Sequence, residues 1–222
     1  LGLSLAVGAG LALGAAGSAD TALAAKKGGV LSFVVGSKIP SYDLHRETTF
    51  GVIHPIRPFY SLLIRIIPDN PSSPTDFVCD LCEGDVPKGE DGFTKYTFKI
   101  RKDVKLHDGT PLTAHDIVAT YQKIIFPAEG VPSSRKAFFK MVESVEAPDD
   151  TTVVFKLKFP SGAFIPAVAT PFNIVVSKKD LDTHGNDWHK KNINGTGPFK
   201  FVQHQPGSFV EGAKYDGYHF SG

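Results

Sequence analysis

The stretch that decides the fold is Tyr96 to Lys123, YTFKIRKDVKLHDGTPLTAHDIVATYQK. It opens with an alternation that puts Tyr96, Phe98 and Ile100 on one face of a strand and Thr97, Lys99 and Arg101 on the other. Asp108-Gly109 then supplies a turn, because glycine accepts the positive φ that such a reversal needs. Thr113 stands where an N-cap belongs, and Asp116, three residues on, brings a carboxylate to the positive end of the following helix. Ile117, Tyr121 and Ile124 recur at helical spacing and predict one buried stripe. Strand, turn and capped helix are local structure and name no function.

Toward the N-terminus, Leu1 to Gly17 is almost wholly Leu, Ala, Gly and Val, followed by Ser18-Ala19-Asp20 and the small-x-small pattern Ala22-Leu23-Ala24. This predicts a signal peptide over residues 1–24, cleaved before Ala25. A transmembrane helix is the weaker reading, because the run is short, glycine-rich and unflanked by charge. No methionine or basic leader precedes Leu1, so the leader reads as incomplete. No cysteine follows the cleavage pattern, so no lipid anchor is expected there. Val30 to Val35 reads as a first strand, buried on both faces. A loop from Gly36 to Thr49 carries the polar run Tyr42-Asp43-Leu44-His45-Arg46-Glu47-Thr48-Thr49. Phe50 to Ile67 is apolar, but Pro55 and Pro58 require any helix there to be broken or to begin at Pro58. Residues 68–76, with three prolines, predict a loop.

Toward the C-terminus, Lys136 to Val142 predicts a short helix capped by Ser133 or Ser134. Ser144–Ala147 and Thr152–Lys158 flank Pro148-Asp149-Asp150 as a hairpin, with Val153, Phe155 and Leu157 inward. Ala163 to Ala169 is a small apolar element, Asn173 to Val176 a further strand, and the segment from Asp180 through Trp188 a polar connector. Gly195 to Gly197 makes a turn into a strand at Phe199–Val202.

Composition narrows the function. The 222 residues are 41% hydrophobic and 21% charged, with a formal charge of +1, as in an ordinary soluble globular protein. That balance, without a basic run interleaved with aromatics, argues against a nucleic-acid partner. There is no G-x-S-x-G, no H-E-x-x-H and no P-loop, and Gly195-Thr196-Gly197 precedes a strand rather than a helix. Neither an enzyme nor a cofactor is expected. The histidines His184 and His189 read as solvated, and His54 and His107 as structural, rather than as metal ligands. Cys79 and Cys82, the chain's two cysteines, form C-x-x-C without the further ligands that zinc needs. They read as a structural pair, oxidised to each other after export; a periplasmic thiol oxidoreductase using them is one alternative function, and a secreted interaction module without a small ligand is the other.

The quoted stretch also carries a resemblance. Its K-x-H-D-G-T-P-L-T-A-x-D core resembles the signature of the family 5 solute-binding proteins of ABC transporters, which include oligopeptide-, dipeptide- and nickel-binding proteins of bacteria. Gly195-Thr196-Gly197-Pro198-Phe199-Lys200-Phe201 resembles the family's G-T-G-P-[FY]-x-[FL] segment. Tyr215-Asp216-Gly217-Tyr218 resembles its later D-x-Y-W element, with His219 in place of the tryptophan.

This resemblance implies an α/β periplasmic-binding-protein fold of the type II flytrap kind, with two lobes closing over a solute and an α+β subdomain inserted in the first lobe. Residues 25–49 would begin lobe I, 50–160 form the attached subdomain, and 161–222 return to lobe I; the second lobe would follow Gly222. It implies a monomer in the periplasm that delivers a peptide, opine, sugar or chelated metal to ABC permease subunits. Small residues usually stand where Cys79 and Cys82 are. From the residues alone, the loop after the first strand is equally a solvated surface or a ligand contact. The resemblance favours contact, which makes His45, Arg46, Glu47, Thr48 and Thr49 candidate ligand residues, with Arg135 in the later loop.

Overall fold

The computed structural model describes residues 28–67, 73 and 75–220. The predicted leader over residues 1–24 lies outside the described residues, as do 68–72 and 74 of the predicted loop. Two units divide the chain, residues 1–34 and 35–222. In the first, Gly28 to Val34 form neither helix nor strand, and the Val30 side chain is 94% exposed. This corrects the predicted strand at Val30–Val35. A strand buried on both faces exists only where neighbours pair with its edges and layers cover its faces. Each described strand pairs elsewhere.

The second unit is built from short antiparallel pieces around one substantial helix. Helix α1 (Phe50–Ile56) is capped by Thr49, whose Oγ1 accepts from Gly51 N at 3.1 Å. Pro55 lies inside it, and the chain tightens to a 3₁₀ turn at Arg57–Phe59, with Pro58 preset for the new start. Strands β1 (Ile64–Ile66) and β2 (Phe77–Cys79) make a two-stranded ribbon. The central sheet contains β3 (Lys95–Lys99), β4 (Val142–Asp149) and β5 (Thr152–Leu157) in the order β3-β5-β4, all antiparallel. Helix α2 (Ala114–Ile125) packs on it. Helices α3 (Phe164–Val168) and α4 (Lys178–His184) follow, then the hairpin β6 (Phe199–Gln205) and β7 (Phe209–Lys214). Among the described residues no helix is long and apolar enough to cross a membrane.

The strand–turn–helix stretch forms as its residues dictate. Tyr96, Phe98 and Ile100 are buried, and Gly109 takes φ +91°. Ile117, Tyr121 and Ile124 have no exposed surface. Tyr121 meets Phe155 edge to face at 5.0 Å, so the helical stripe docks on the inward face of the hairpin. The cap does more than end a helix. Asp116 Oδ2 accepts from Thr113 N at 2.8 Å and from Thr113 Oγ1 at 3.1 Å, and its Oδ1 accepts from Lys178 N at 2.8 Å. One carboxylate thus joins the starts of α2 and α4. Asp116→Ala is expected to cost about 2 kcal/mol, more than the ~1 kcal/mol of a lost cap in Thr113→Ala, because it strands two backbone donors. Urea midpoints check this, and equal losses would contradict the shared role.

Buried apolar side chains of the described residues fall into two clusters. The larger lies between α2, α3 and the central sheet. The smaller joins Leu44, α1, Phe59, Tyr60 and Leu62 to Phe172, Ile174 and Val176, with Phe199 and Phe201 against it.

Three further expectations change. Asn173–Val176 is extended and buried but belongs to no sheet. Val175 N donates to Ser61 O at 3.0 Å, and Val176 N to Thr120 Oγ1 at 3.0 Å, so a helix side chain replaces a ladder partner. The predicted polar connector contains α4, started by Ser177 Oγ accepting from Asp180 N at 3.1 Å. Ser133 and Ser134 do not cap the 3₁₀ turn at Lys136–Phe139; Ser133 Oγ donates to Ile124 O at 2.6 Å, at the end of α2, and Ser134 Oγ donates to Arg46 O.

Candidate functional site

The polar run Tyr42–Thr49 divides by the side that each residue faces. Asp43 and His45 point inward and are buried; Arg46 and Glu47 are half-buried; Thr48 and Thr49 are exposed. Asp43 shapes the turn, its carbonyl accepting from Arg46 N (3.1 Å) and Glu47 N (3.3 Å), and its Oδ1 from His45 N (3.1 Å). Its other oxygen lies 2.8 Å from Lys123 Nζ, a buried ion pair between this loop and the last turn of α2. Burial pushes the Asp43 carboxyl up, but His45 and Lys123 more than reverse this and hold it below the usual range. Burial draws the Lys123 ammonium down, against the pull of Asp43.

His45 Nε2 donates to Ile174 O at 2.8 Å, which fixes the neutral tautomer and leaves Nδ1 facing Asp43 at 3.8 Å. Burial, and then Lys123, lower His45 from 6.5 to about 4. His189 lies in the same pocket of charge, buried rather than solvated, with its ring edge-on to Trp188 at 4.9 Å and neither nitrogen hydrogen-bonded. Burial, followed by Lys123, takes it to about 3. No local pattern marks this network, since Asp43 and Lys123 are distant in the chain and Lys123 flanks an apolar stripe.

The two candidate loops meet. Ser134 N donates to His45 O at 3.0 Å, and Arg135 Nη2 to Glu47 O at 3.3 Å. The Arg135 guanidinium lies over Phe172, its Cζ 3.7 Å from the ring centroid. Beside it Phe138 is 55% exposed, and Phe50, next to Thr49, is 70% exposed. Arg46 reaches the exposed Asp187 at 2.6 Å, and Glu47 accepts from Ser41 Oγ at 2.7 Å. The result is a rim with backbone carbonyls, hydroxyls, a guanidinium and bare aromatic surface, but no nucleophile–base pair. No group of three or more His, Cys, Asp or Glu residues suited to a metal occurs among the described residues.

At the other end of α1 a cleft of about 450 Å³ is lined by His54, Arg57, Arg65, Asp80 and Tyr218, with Pro198 and Phe199 behind. Asp80 anchors this wall, accepting from Leu62 N at 2.8 Å and lying 3.6 Å from Arg57 and 3.3 Å from His219. Cys79 and Cys82, on either side of it, are joined by a disulfide. The bridge follows a strand and enters a turn, without the helix N-terminus that lowers a thiol's pKa in redox motifs. The other motifs form a seam. His107 N donates to Gly195 O (2.8 Å), His107 Nε2 is 3.0 Å from Gly197 O, and Tyr215 stacks edge-on to His107 at 4.9 Å.

The model of a family described as bacterial extracellular solute-binding proteins, family 5 Middle, matches residues 78–222. The chain belongs to that family. This family 5 chain is 34% identical over 133 residues to the oligopeptide-binding protein AppA of Bacillus subtilis. It is also 34% identical over 128 residues to the glutathione-binding protein GsiB of Pectobacterium atrosepticum. Each alignment covers 58% of this chain and 24% of the relative, so the chain spans about a quarter of the length of these relatives. Among solved structures, B. subtilis AppA in complex with a nonapeptide superposes with TM-score 0.69 at 28% identity, over 80% of this chain and 34% of that one. MoaA from A. tumefacien R10 in complex with mannopinic acid gives 0.72 at 26% identity, over 82% and 36%. The family 5 chain therefore has the mixed α and β fold of periplasmic binding proteins. The match begins at residue 78, so Arg135 lies inside it and the Tyr42–Thr49 loop before it.

Proposed function

We propose that this chain is part of the substrate-binding component of an ABC import system. In this reading it is exported, works in the periplasm, captures a small solute and hands it to membrane permease subunits. Residues 25–49 and 161–222 belong to one lobe, and 50–160 to a subdomain attached to it. A second lobe closes over the solute, and the solute favours the closed state by bridging both sides. ATP is hydrolysed by another subunit, in keeping with the absence of a P-loop in this sequence.

The observation that carries the reading, beside family membership, is the meeting of the Tyr42–Thr49 and Ser133–Phe138 loops in one rim. Thr48 and Thr49 offer hydroxyls there and Glu47 a carboxylate. The Arg46–Asp187 pair is exposed on the aspartate side and worth little by itself, so Arg46 can turn to a solute at small cost. The test is a thermal-shift and calorimetric screen against di- to nonapeptides, glutathione, mannopinic acid and Ni(L-His), ligand types named for relatives. One class should bind; silence from all of them would overturn the reading. With the binder in hand, Arg46→Ala or Glu47→Ala should cost about 1.5–3 kcal/mol, roughly ten- to a hundredfold in affinity. Unchanged affinity in both would remove this loop from the site.

A further inference from the structure

Beside the seam of His107 and the Gly195–Gly197 segment lies a second cleft, of about 390 Å³. None of its lining residues belongs to the Tyr42–Thr49 or Ser133–Phe138 loops. His107, Asp108, Asp180 and Asn194 give it a polar wall, Trp188 and Phe201 an aromatic one, and Lys200 is the one cation in the lining. The polar wall holds acceptors that nothing fills. His107 is 8% exposed, and its Nε2 lies 3.0 Å from Gly197 O. A carbonyl only accepts, so Nε2 carries the proton and Nδ1 is a bare lone pair, buried with no partner. Burial holds this imidazole below its ordinary range, so it is neutral at pH 7. Asn194 ties the two carboxylate residues together: its Nδ2 donates to Asp180 Oδ2 at 2.8 Å, and its Oδ1 accepts from Asp108 N at 3.3 Å. Asp180 is 7% exposed, yet among the described residues neither it nor Asp108 forms an ion pair. Lys200 does not serve them, since its Nζ lies over the Tyr215 ring, 5.3 Å from the centroid. Lys179 acts on Asp108 only from outside the lining.

Asp108 and Asp180 against Lys200 leave the lining one negative charge in excess. A buried carboxylate is costly unless a counter-charge meets it. A metal ion does not fit, because no group of three or more His, Cys, Asp or Glu residues suited to one occurs among the described residues. An ammonium does. Its three donors match two carboxylates and a bare imidazole nitrogen, and aromatic walls favour a cation beside them. We infer that this cleft binds a small primary alkylammonium, its head held by Asp108 and Asp180 and its alkyl chain lying against Trp188 and Phe201. The same two acids set the specificity. An amino acid or peptide would bring its own carboxylate up against them, so the cleft selects amines that carry none. It is a separate site from the solute rim and does not rest on that reading.

Trp188 is the chain's one tryptophan, so its fluorescence reports from the wall of this cleft. The test is a fluorescence titration of the 222-residue chain at neutral pH with three probes: butylammonium, its neutral counterpart butan-1-ol, and the zwitterion 4-aminobutanoate. Butylammonium should give a saturable change and butanol none at the same concentrations. The zwitterion should need a concentration about tenfold higher or more. Asp108→Asn keeps an acceptor for Thr110 N, which now donates to Asp108 Oδ1 at 2.9 Å. It and Asp180→Asn should each weaken butylammonium about tenfold or more. Lys200→Met should tighten it, because a competing cation is removed; a role in the fold alone would not give opposite signs. Should one aspartate variant lose its fold by circular dichroism, the other and Lys200→Met decide. Equal responses to butylammonium and butanol would overturn the inference, and so would equal midpoints for butylammonium and 4-aminobutanoate. Parent-like affinity in a folded aspartate variant, weaker binding in Lys200→Met, or silence from butylammonium would do the same.

Discussion

Acidification from pH 7 to pH 4 should destabilise this chain by several kcal/mol, and two buried histidines should account for most of the loss. His45 and His189 are neutral inside the fold, at about 4 and about 3, against 6.5 when unfolded. The folded values are the lower ones, so between about pH 6.5 and 4 the unfolded chain takes up protons that the folded chain refuses. Stability is complete above 6.5 and falls as pH drops through that window, by at most about 1.4 kcal/mol per pH unit for each histidine. Across the window this reaches on the order of 5 kcal/mol, a large part of a typical domain's stability. Neither ring can accept its second proton cheaply: Lys123 opposes it in both, and His189 has no hydrogen-bond partner to receive it. Urea midpoints between pH 7 and 4 read the effect. In His45→Gln, which keeps a donor toward Ile174 O, combined with His189→Phe, the decline in this window should flatten. A parent midpoint that does not move between pH 6.5 and 4.5 would refute the account. Since Asp43 and Lys123 shape the Tyr42–Thr49 turn, the same acid step should loosen the rim before the central sheet.

What could be read from sequence divides along the range of the interactions involved. The strand, turn and cap from Tyr96 to Ile124 are governed by neighbours within a few residues, and they form as read. Where a partner lies far along the chain, pattern alone misleads. Val30–Val35 has a strand's composition but no ladder, and Asn173–Val176 is extended only because Thr120 and Ser61 satisfy its backbone. Polarity told that Tyr42–Thr49 is a loop, but not which of its residues turn inward. His45 is spent on Ile174 O, while Thr48 and Thr49 face out. Arg135 was legible as a candidate only through resemblance. Its place over the Phe172 ring is a property of the assembled loops, which no spacing could show. His107 could be read as structural, but its two ties to the Gly195 and Gly197 carbonyls bridge segments nearly ninety residues apart.

Replacing Gly197 or Gly195 by alanine should cost about 3 kcal/mol or more, through overpacking against backbone that cannot move aside. Gly195-Thr196-Gly197 was read as a turn, but neither glycine has a positive φ. They are needed because two main chains touch. Gly197 N donates to Phe59 O at 3.1 Å, and Ser61 Oγ to Thr196 O at 3.2 Å. A Cβ at Gly197 would collide with Tyr60 N and stand 2.5 Å from both Phe59 C and Pro58 O; one at Gly195 would collide with Phe59 O and stand 2.6 Å from the buried Tyr60 ring. No rotamer relieves a clash with backbone, so the Arg57–Tyr60 turn must shift. It carries Phe59 and Tyr60 of the smaller core with it, and Arg57 of the cleft wall. The His107 contacts to both glycine carbonyls would open together. For a chain of this size the loss corresponds to a fall in Tm of roughly 6–12 °C. Gly162→Ala is the control, since a Cβ there meets nothing within 4 Å and the backbone is not in the positive-φ region. It should lie within about 0.5 kcal/mol of the parent. Thermal and urea unfolding of Gly197→Ala, Gly195→Ala and Gly162→Ala decide the matter. If Gly197→Ala were as stable as Gly162→Ala, the seam between the family's most recognisable motifs would not be the close backbone contact described.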